Sequence, residues 1–449
     1  MAPSSTARWL LAQEARALLT RLDRLRPFAL NMPMVTAAAI SPAALSAIES
    51  HMSKSRQRLR TMVHDYLRWV RGPRGSLATP ATAQRRFTLL RLRFNALLAQ
   101  FDIFADVLAQ RSEHETGVWV AGLDDVAVDA LELPGNFYKV PPMICYVNRG
   151  PGAAIRRART RLPGGDENPV AVISVPRERM VGSGIASSLV HEVGHQAAAL
   201  LDLANSLRPE LQEMQRRSSP DQQPAWRLWE RWISEIVADF WALAKLGISA
   251  TLGLMGVVSL PRAFIFRLDE EDPHPLPWIR VKLSCAMGKN LYPHPQWDIL
   301  ASLWESFYPR TGLDEGRLGL LAALEATMSK FVALLLNHRP PALRGQALRE
   351  VMPVAERQPA RLAAYYRANG KIPERLRDVP PSLAFAVLGQ ARADNQITPE
   401  AESRALAQLL TYWAVRSALD TSVICAAQPR PRRRRSGSRQ SAEFQTNFQ

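Results

Sequence analysis

Residues 186–201 read ASSLVHEVGHQAAALL and contain the pattern H-E-x-x-H. On a helix, positions i and i+4 lie on one face, so the imidazoles of His191 and His195 can bind one metal ion. Glu192 lies beside this pair, within reach of a water on the metal, where a general base is needed. The pattern therefore predicts a zinc site on a helix. The alternative is a pair of surface histidines on an amphipathic helix.

A catalytic zinc site needs a third protein ligand. The extended pattern with a third histidine fails here, because Leu201 stands in that position. The best candidate is Glu235, on a helix predicted at 226–245, with Asp239 one turn later. Carboxylates that face a Trp- and Phe-rich surface are costly unless a cation or a donor neutralises them. We expect Glu235 to bind the metal and Asp239 to accept the N–H of a ligand histidine. The alternative is an arginine-paired helix whose two acids are solvated or salt-bridged.

Together, H-E-x-x-H at 191–195 and E-I-V-A-D at 235–239 resemble the gluzincin clan of zinc metallopeptidases. The resemblance covers residues 170–281. It implies a zincin-like core with a small mixed sheet over the H-E-x-x-H helix and a helical second half that forms the cleft. It also implies hydrolysis of a peptide bond in a peptide or protein substrate, with Zn²⁺ as cofactor. The edge strand that holds an extended substrate would be 170–175, and residues 206–224 would loop out.

A second segment, E-D-P-H-P at 271–275 followed by Arg280, is similar to the H-P…R segment of membrane CAAX-protease-like and heat-shock-protease-like gluzincins. There, a cationic or hydrogen-bonding residue near the zinc stabilises the tetrahedral intermediate. A catalytic site needs a donor aimed at the developing oxyanion. The candidates here, in order, are His274, Arg280 and Tyr292. The alternatives are a loop histidine, a salt-bridged arginine and a half-buried tyrosine. A second His-Pro pair at 294–295 is interpreted as a turn.

The surrounding sequence predicts an α+β fold that is mostly helical. By composition it divides into a helical N-terminal region 1–115, a zincin-like metallopeptidase core 116–300, a helical C-terminal region 301–427 and a disordered basic tail 428–449. Helices are predicted at 7–25, 41–70, 81–111, 183–204, 222–245, 295–308, 314–336, 358–368 and 399–419. Short strands are predicted at 118–120, 143–147 and 170–175. The glycine-rich loop 149–168 is predicted to be a flexible surface loop.

Charge supports a competing function. The chain has 449 residues, with Lys+Arg 57 against Asp+Glu 41, and a formal net charge of +16. The run Arg432–Arg435 could contact nucleic acid or another acidic surface nonspecifically. The alternative function is therefore a basic nucleic-acid or partner-binding protein with a non-catalytic zinc site. A third hypothesis is an interaction scaffold that uses its helical flanks and carries an inactive zincin.

Cysteine usage and hydropathy favour a cytoplasmic protein. Three cysteines lie far apart and form no disulfide framework, which fits a reducing compartment. The N-terminal apolar run is too short for a secretory signal. The longest weakly charged stretch, 246–261, is shorter than the ~20 residues a spanning helix needs. We therefore expect no transmembrane segment, and a buried helix or turn at 246–261.

Overall fold

A computed structural model of the chain describes residues 3–150, 152–176, 182–269, 271–370 and 373–427. The described chain is mostly helical and contains a small mixed sheet of three strands. The predicted class, α+β and mostly helical, is therefore confirmed. The basic tail 428–449 lies outside the described residues, and so does the run Arg432–Arg435.

Six helices precede the sheet: α1 (Pro3–Arg24), α2 (Phe28–Asn31), α3 (Pro42–Arg71), α4 (Pro73–Ser76), α5 (Pro80–Ala109) and α6 (His114–Leu131). The Ser41 hydroxyl accepts the backbone N–H of Ala44 at 3.2 Å, with Pro42 at the first helical position. This is the N-terminal cap that Ser-Pro indicates. Short 3₁₀ segments lie at Thr36–Ala38 and Gln110–Ser112.

The strand predicted at 118–120 is wrong, because these residues lie inside α6. A run of three apolar residues cannot distinguish a strand from a buried helix. Val118, Val120 and Leu123 are buried together with Gly122, whose missing side chain lets the backbone of Leu410 approach closely. Helix α6 also runs through the predicted boundary between residues 115 and 116.

The sheet consists of β1 (Met143–Asn148), β2 (Ala154–Arg156) and β3 (Ala171–Pro176), in the order β1-β3-β2. Strand β3 pairs parallel with β1 and antiparallel with β2. The segment 170–175, predicted as the edge strand, is therefore central. The edge is β2, inside the loop predicted at 149–168. A three-residue strand is too short to leave a periodic pattern, and the glycines around it indicate only turns.

The motif region follows the sheet as α7 (Ser183–Leu201), α8 (Leu203–Arg217), α9 (Gln223–Arg231), α10 (Ile233–Leu246), α11 (Ile248–Val258) and α12 (Arg262–Ile265). The loop expected at 206–224 is wrong up to residue 217, because α8 covers these residues. The helix predicted at 222–245 is divided at Trp232 into α9 and α10. The buried helix predicted within 246–261 is confirmed as α11.

The second half of the chain contains α13 (Pro277–Leu291), α14 (Gln296–Phe307), α15 (Glu315–Asn337), α16 (Leu348–Val351), α17 (Pro359–Tyr365), α18 (Pro381–Ala393) and α19 (Pro399–Ala427). Irregular helical turns add Pro341–Leu343, Tyr366–Gly370 and Pro373–Leu376. The sequence patterns missed α13 and α18, and they ended α19 eight residues early. Helix α14 runs through the predicted boundary at residue 300.

The sheet separates two hydrophobic cores. Ile144 and Val172 face a core formed with α1, α3 and α5. Cys145 and Ile173, their neighbours along the strands, face the larger core, which contains α6, α7 and α10. This alternation follows from the two-residue period of a strand. The N-terminal helices therefore cover one face of the sheet and the motif helix lies on the other.

Among the described residues, helix Glu315–Asn337 has the length and apolar composition of a membrane span. Within its most apolar stretch of 18 residues, 39% is buried in the protein. The core helix of a water-soluble protein meets the same two criteria. Leu324 and Phe331 on this helix lie in the larger core. Glu325 forms ion pairs with Lys282 and Arg310. One face of the helix therefore contributes to the protein interior.

The close crossing of α7 and α10 depends on small residues. A Cβ atom on Gly194 would lie 2.8 Å from the Cα of Ala238 and 2.9 Å from the Cβ of Trp241. Real Cβ atoms do not approach that closely, so only glycine allows this spacing. The crossing brings the residues of both motifs to one place, because Gly194 lies inside H-E-x-x-H and Ala238 lies inside E-I-V-A-D.

Substituting Gly194→Ala is expected to lower the free energy of unfolding by about 1–3 kcal/mol, because the added methyl group meets backbone and the helices must separate. Urea denaturation of the metal-free protein measures this. The matched control is Gly256→Ala in α11, where no atom lies within 4 Å of the added Cβ. There, alanine should stabilise the helix by up to about 1 kcal/mol. Equal stability of the two variants would contradict the role given to Gly194.

Candidate metal centre

Helix α7 presents two histidines on one face and a buried apolar face on the other. Val190 and Val193 are fully buried in the larger core, which fixes the rotation of the helix. His191 and His195 then face the same side, with ring centroids 4.9 Å apart. The predicted pairing of these two imidazoles is therefore present in the structure.

Glu235 reaches this pair from the start of α10. The helix is interrupted at Trp232, so Glu235 lies in the first turn of α10. There the helix dipole favours a carboxylate. Its Oε2 atom lies 3.2 Å from Nε2 of His191 and 3.4 Å from Nε2 of His195. One carboxylate oxygen thus meets both imidazoles.

These three residues fit a metal ion. Their ligand atoms all lie within 4.8 Å of one another. Oε2 of Glu235 is buried and makes no hydrogen bond with the described residues. Imidazole nitrogens lie 3.1–3.4 Å from this oxygen without hydrogen-bond geometry, and a cation between them would satisfy both kinds of group. Two imidazoles and one carboxylate form a common ligand set of catalytic zinc, with a further position open.

Asp239 holds one of the histidines. Nδ1 of His191 donates to Oδ1 of Asp239 at 2.8 Å, which leaves the Nε2 atom of His191 directed at Glu235. Burial alone would lower the pKa of His191, but the contacts with Asp239 and Glu235 raise it to about 9. The structure therefore places Asp239 where the sequence predicts it.

Arg280 is bound to Asp239. Its Nε donates to Oδ2 at 2.6 Å and one terminal nitrogen donates to Oδ1 at 2.8 Å. Burial opposes ionisation of Asp239, but the charge of Arg280 and the hydrogen bond from His191 hold the pKa of Asp239 well below its usual range. Arg280 was expected among the oxyanion donors. Its contacts instead position Asp239, because two of its N–H groups donate to that carboxylate.

His274 lies on the loop before α13 and completes the cluster. Its Nε2 is 3.1 Å from Oε2 of Glu235. Its Nδ1 donates to Oδ1 of Asp272 at 2.7 Å, and its backbone N–H donates to the same oxygen at 2.9 Å. The contact with Glu235 raises the pKa of His274. A side chain that is 44% exposed and fixed at Nδ1 can present Nε2–H to a substrate.

Glu192 lies in the same cleft as the histidines. Burial raises the pKa of Glu192, while the nearby charges of His191 and His195 lower it. The backbone N–H of Ile155, on the edge strand β2, also lowers the pKa of Glu192. Glu192 is therefore held between the ligand pair and the edge of the sheet.

The third oxyanion candidate lies elsewhere. Tyr292 is fully buried, and its hydroxyl donates to the carbonyl of Ala244 at 2.8 Å. His294, from the second His-Pro pair, accepts the N–H of Gln296 at 3.3 Å with Nδ1 and caps the start of α14. This agrees with its interpretation as a turn.

Residues of two chemical kinds line the cleft. Gly152 and Ala153, just before β2, line it together with His191 and Glu192 of α7. Aliphatic side chains line it as well, those of Ala242, Ala250, Leu254 and Val257. The cleft thus offers both backbone groups and aliphatic surface.

Two contributors to the site were not predicted. Asp272 belongs to E-D-P-H-P, and an aspartate two residues before a histidine favours a local turn that indicates such a contact. Ile155 acts through its backbone N–H, which no side-chain pattern can reveal.

No family model matches this chain, and neither the curated proteins nor the solved structures contain a match. The resemblance to gluzincins therefore rests on the motif residues alone.

Substituting Arg280→Met should lower the free energy of unfolding by about 3–5 kcal/mol, because it removes the guanidinium that makes two hydrogen bonds to the buried charge of Asp239. The control Arg267→Met breaks an exposed pair with Asp269 and should cost less than about 1 kcal/mol. Urea denaturation of both metal-free variants tests this. A loss at Arg280 no larger than at Arg267 would show that Asp239 does not depend on the guanidinium.

Proposed function

We propose that this chain is a zinc-dependent metallopeptidase of the gluzincin type with a zincin-like core. The observation that carries the proposal is the convergence of His191, His195 and Glu235, with Glu192 and His274 in the same cleft. His191, His195 and Glu235 would hold the zinc. When bound, zinc supplies Lewis acidity, which polarises a substrate carbonyl and makes a neighbouring water more acidic.

Glu192 serves as the general base. It takes a proton from the attacking water as the new C–O bond forms, and later passes that proton to the leaving amine as the C–N bond breaks. Burial raises the pKa of Glu192 toward the range useful for proton transfer.

His274 serves as the oxyanion donor. The structural support is the fixed Nδ1–H contact to Asp272, which directs Nε2 into the cleft. An imidazolium held at Nδ1 by the carboxylate of Asp272 can donate from Nε2 to the oxygen that gains charge. Arg280 acts through Asp239 and orients His191.

The substrate strand is proposed to lie along β2. This strand pairs with β3 on one side only, among the described residues, and borders the cleft through Ala153. An extended peptide can add to such an edge by main-chain hydrogen bonds. The aliphatic side chains that line the cleft, which include Leu254 and Val257, would then contact a substrate side chain.

Site geometry favours catalysis over the alternative of a non-catalytic zinc site. Structural zinc is closed by four protein ligands, whereas catalytic zinc has three and leaves a position open. His191, His195 and Glu235 provide three, and His191 lines a cleft together with Glu192. An inactive scaffold would not need Glu192 beside them.

We propose the cytoplasm as the compartment. Cys145 and Cys285 are buried and free, and behave as small apolar side chains. Unpaired thiols fit a reducing environment.

Substitutions of Glu235 and Glu192 should affect metal content and peptidase activity differently. Purified protein is expected to contain one zinc ion per chain, and Glu235→Ala should lose it. Glu192→Gln should keep the zinc and lose peptidase activity by about 10²–10⁴-fold, because only proton transfer is removed. Elemental analysis measures the zinc content, and an assay with casein or a peptide library measures the peptidase activity. The control Glu271→Gln, an exposed carboxylate near the site, should change neither. Folded wild-type protein without metal would overturn the proposal.

Substituting His274→Asn should lower kcat by about 10²–10³-fold with zinc content unchanged, because it removes a donor used in the transition state. Asp272→Asn should cause a smaller loss, since it only loosens His274. His294→Asn is the matched control from the other His-Pro pair and should behave like wild type. Loss of zinc in His274→Asn would make this histidine a ligand instead of an oxyanion donor.

A further inference from the structure

The last helix, α19, ends in an apolar surface that the other described residues leave exposed. Earlier on the helix, Leu406, Leu410 and Trp413 are buried in the larger core. Toward the C-terminus the apolar side chains become exposed, at 40% for Val415, 61% for Leu419, 68% for Val423 and 61% for Ile424. The end of the helix therefore extends beyond the body of the protein.

The exposed apolar residues form a continuous face. Val415, Leu419 and Val423 are spaced by four residues, so they lie one above the other on the side of α19 that points away from the core. The charged residues at the border are paired, since Arg416 binds Asp378 at 3.3 Å and Asp420 at 4.0 Å. Contiguous apolar surface of this kind marks an interaction site in a folded protein.

Charge on the adjoining sequence identifies the partner. Residues 428–449 contain six arginines and one glutamate, with Arg432–Arg435 consecutive. An apolar helix face next to a run of arginines is the combination that binds an anionic membrane surface. A nucleic acid would engage the arginines and give the apolar face no role.

We propose that the C-terminal end of α19 and the arginine run that follows it dock the protein on an anionic lipid bilayer. The face formed by Val415, Leu419 and Val423 enters the boundary between headgroups and acyl chains. The arginines bind lipid phosphates. This docking does not involve the metal centre, so it holds whether or not the proposed peptidase activity is found.

The test is co-sedimentation of the full-length chain with large unilamellar vesicles. One set contains phosphatidylcholine alone and the other contains about 30% phosphatidylglycerol, because the attraction requires anionic lipid. Binding is expected only to the anionic vesicles. It should weaken markedly between about 0.1 M and about 0.5 M salt, since counterions screen the arginines.

Two variants separate the contributions. The double variant Leu419→Gln/Val423→Gln should weaken binding by about tenfold or more, because less apolar area is buried. The variant with glutamine at each of 432–435 should weaken it by about a hundredfold or more. The control Leu30→Gln/Leu77→Gln removes two apolar residues that are 77% and 88% exposed in the N-terminal region, and should bind like wild type. Zinc content, measured in parallel, should stay constant in every variant.

Three results would overturn the proposal. The first is no binding of wild-type protein to anionic vesicles. The second is an arginine-dependent interaction, with vesicles and duplex DNA alike, that the double variant at Leu419 and Val423 leaves unchanged, which would indicate a polyanion-binding tail. The third is a wild-type dimer, detected by light scattering, that the double variant converts to a monomer, which would assign the apolar face to a second copy of the chain.

Discussion

One buried carboxylate, Asp239, determines how the centre of this protein is arranged. It accepts from His191 on α7 and from Arg280 on α13, while it sits itself on α10. A buried charge is tolerated only when its partners are in place, so the three helices must keep their relative positions. The same contact orients the Nε2 atom of His191. Stability of the fold and geometry of the site therefore depend on the same hydrogen bonds.

The small residues at the helix crossing make that arrangement possible. Gly194 and Ala238 let α7 and α10 approach, and Trp241 closes the crossing from the core side, where its indole N–H donates to the carbonyl of Ala130 at 2.9 Å. The tight contact fixes the distance between His191 and Glu235. A larger residue at either small position would separate the two histidines from Glu235.

Much of the site could be predicted from the sequence, because its ligands follow helical spacing on two long segments. His191, His195, Glu235 and Asp239 meet as expected. The edge strand could not be predicted, since β2 has three residues and acts through backbone groups. Arg280 and Tyr292 were expected near a developing charge, but their partners come from distant segments, Asp239 and the carbonyl of Ala244. A sequence pattern shows which groups a side chain can donate to or accept from. It does not show which buried group of a distant segment becomes its hydrogen-bond partner.

The candidate metal ligands lie on helices, whereas the proposed oxyanion donor lies on a loop. The three candidate metal ligands are mostly buried side chains on helices, whereas His274 is 44% exposed on a connecting loop. A donor on a loop stabilises charge effectively only if it is oriented before the reaction. Asp272 provides that orientation, because one of its oxygens accepts from both the ring and the backbone of His274. The loop can thus hold a half-exposed imidazole in place at the mouth of the cleft, where an incoming substrate can still reach it.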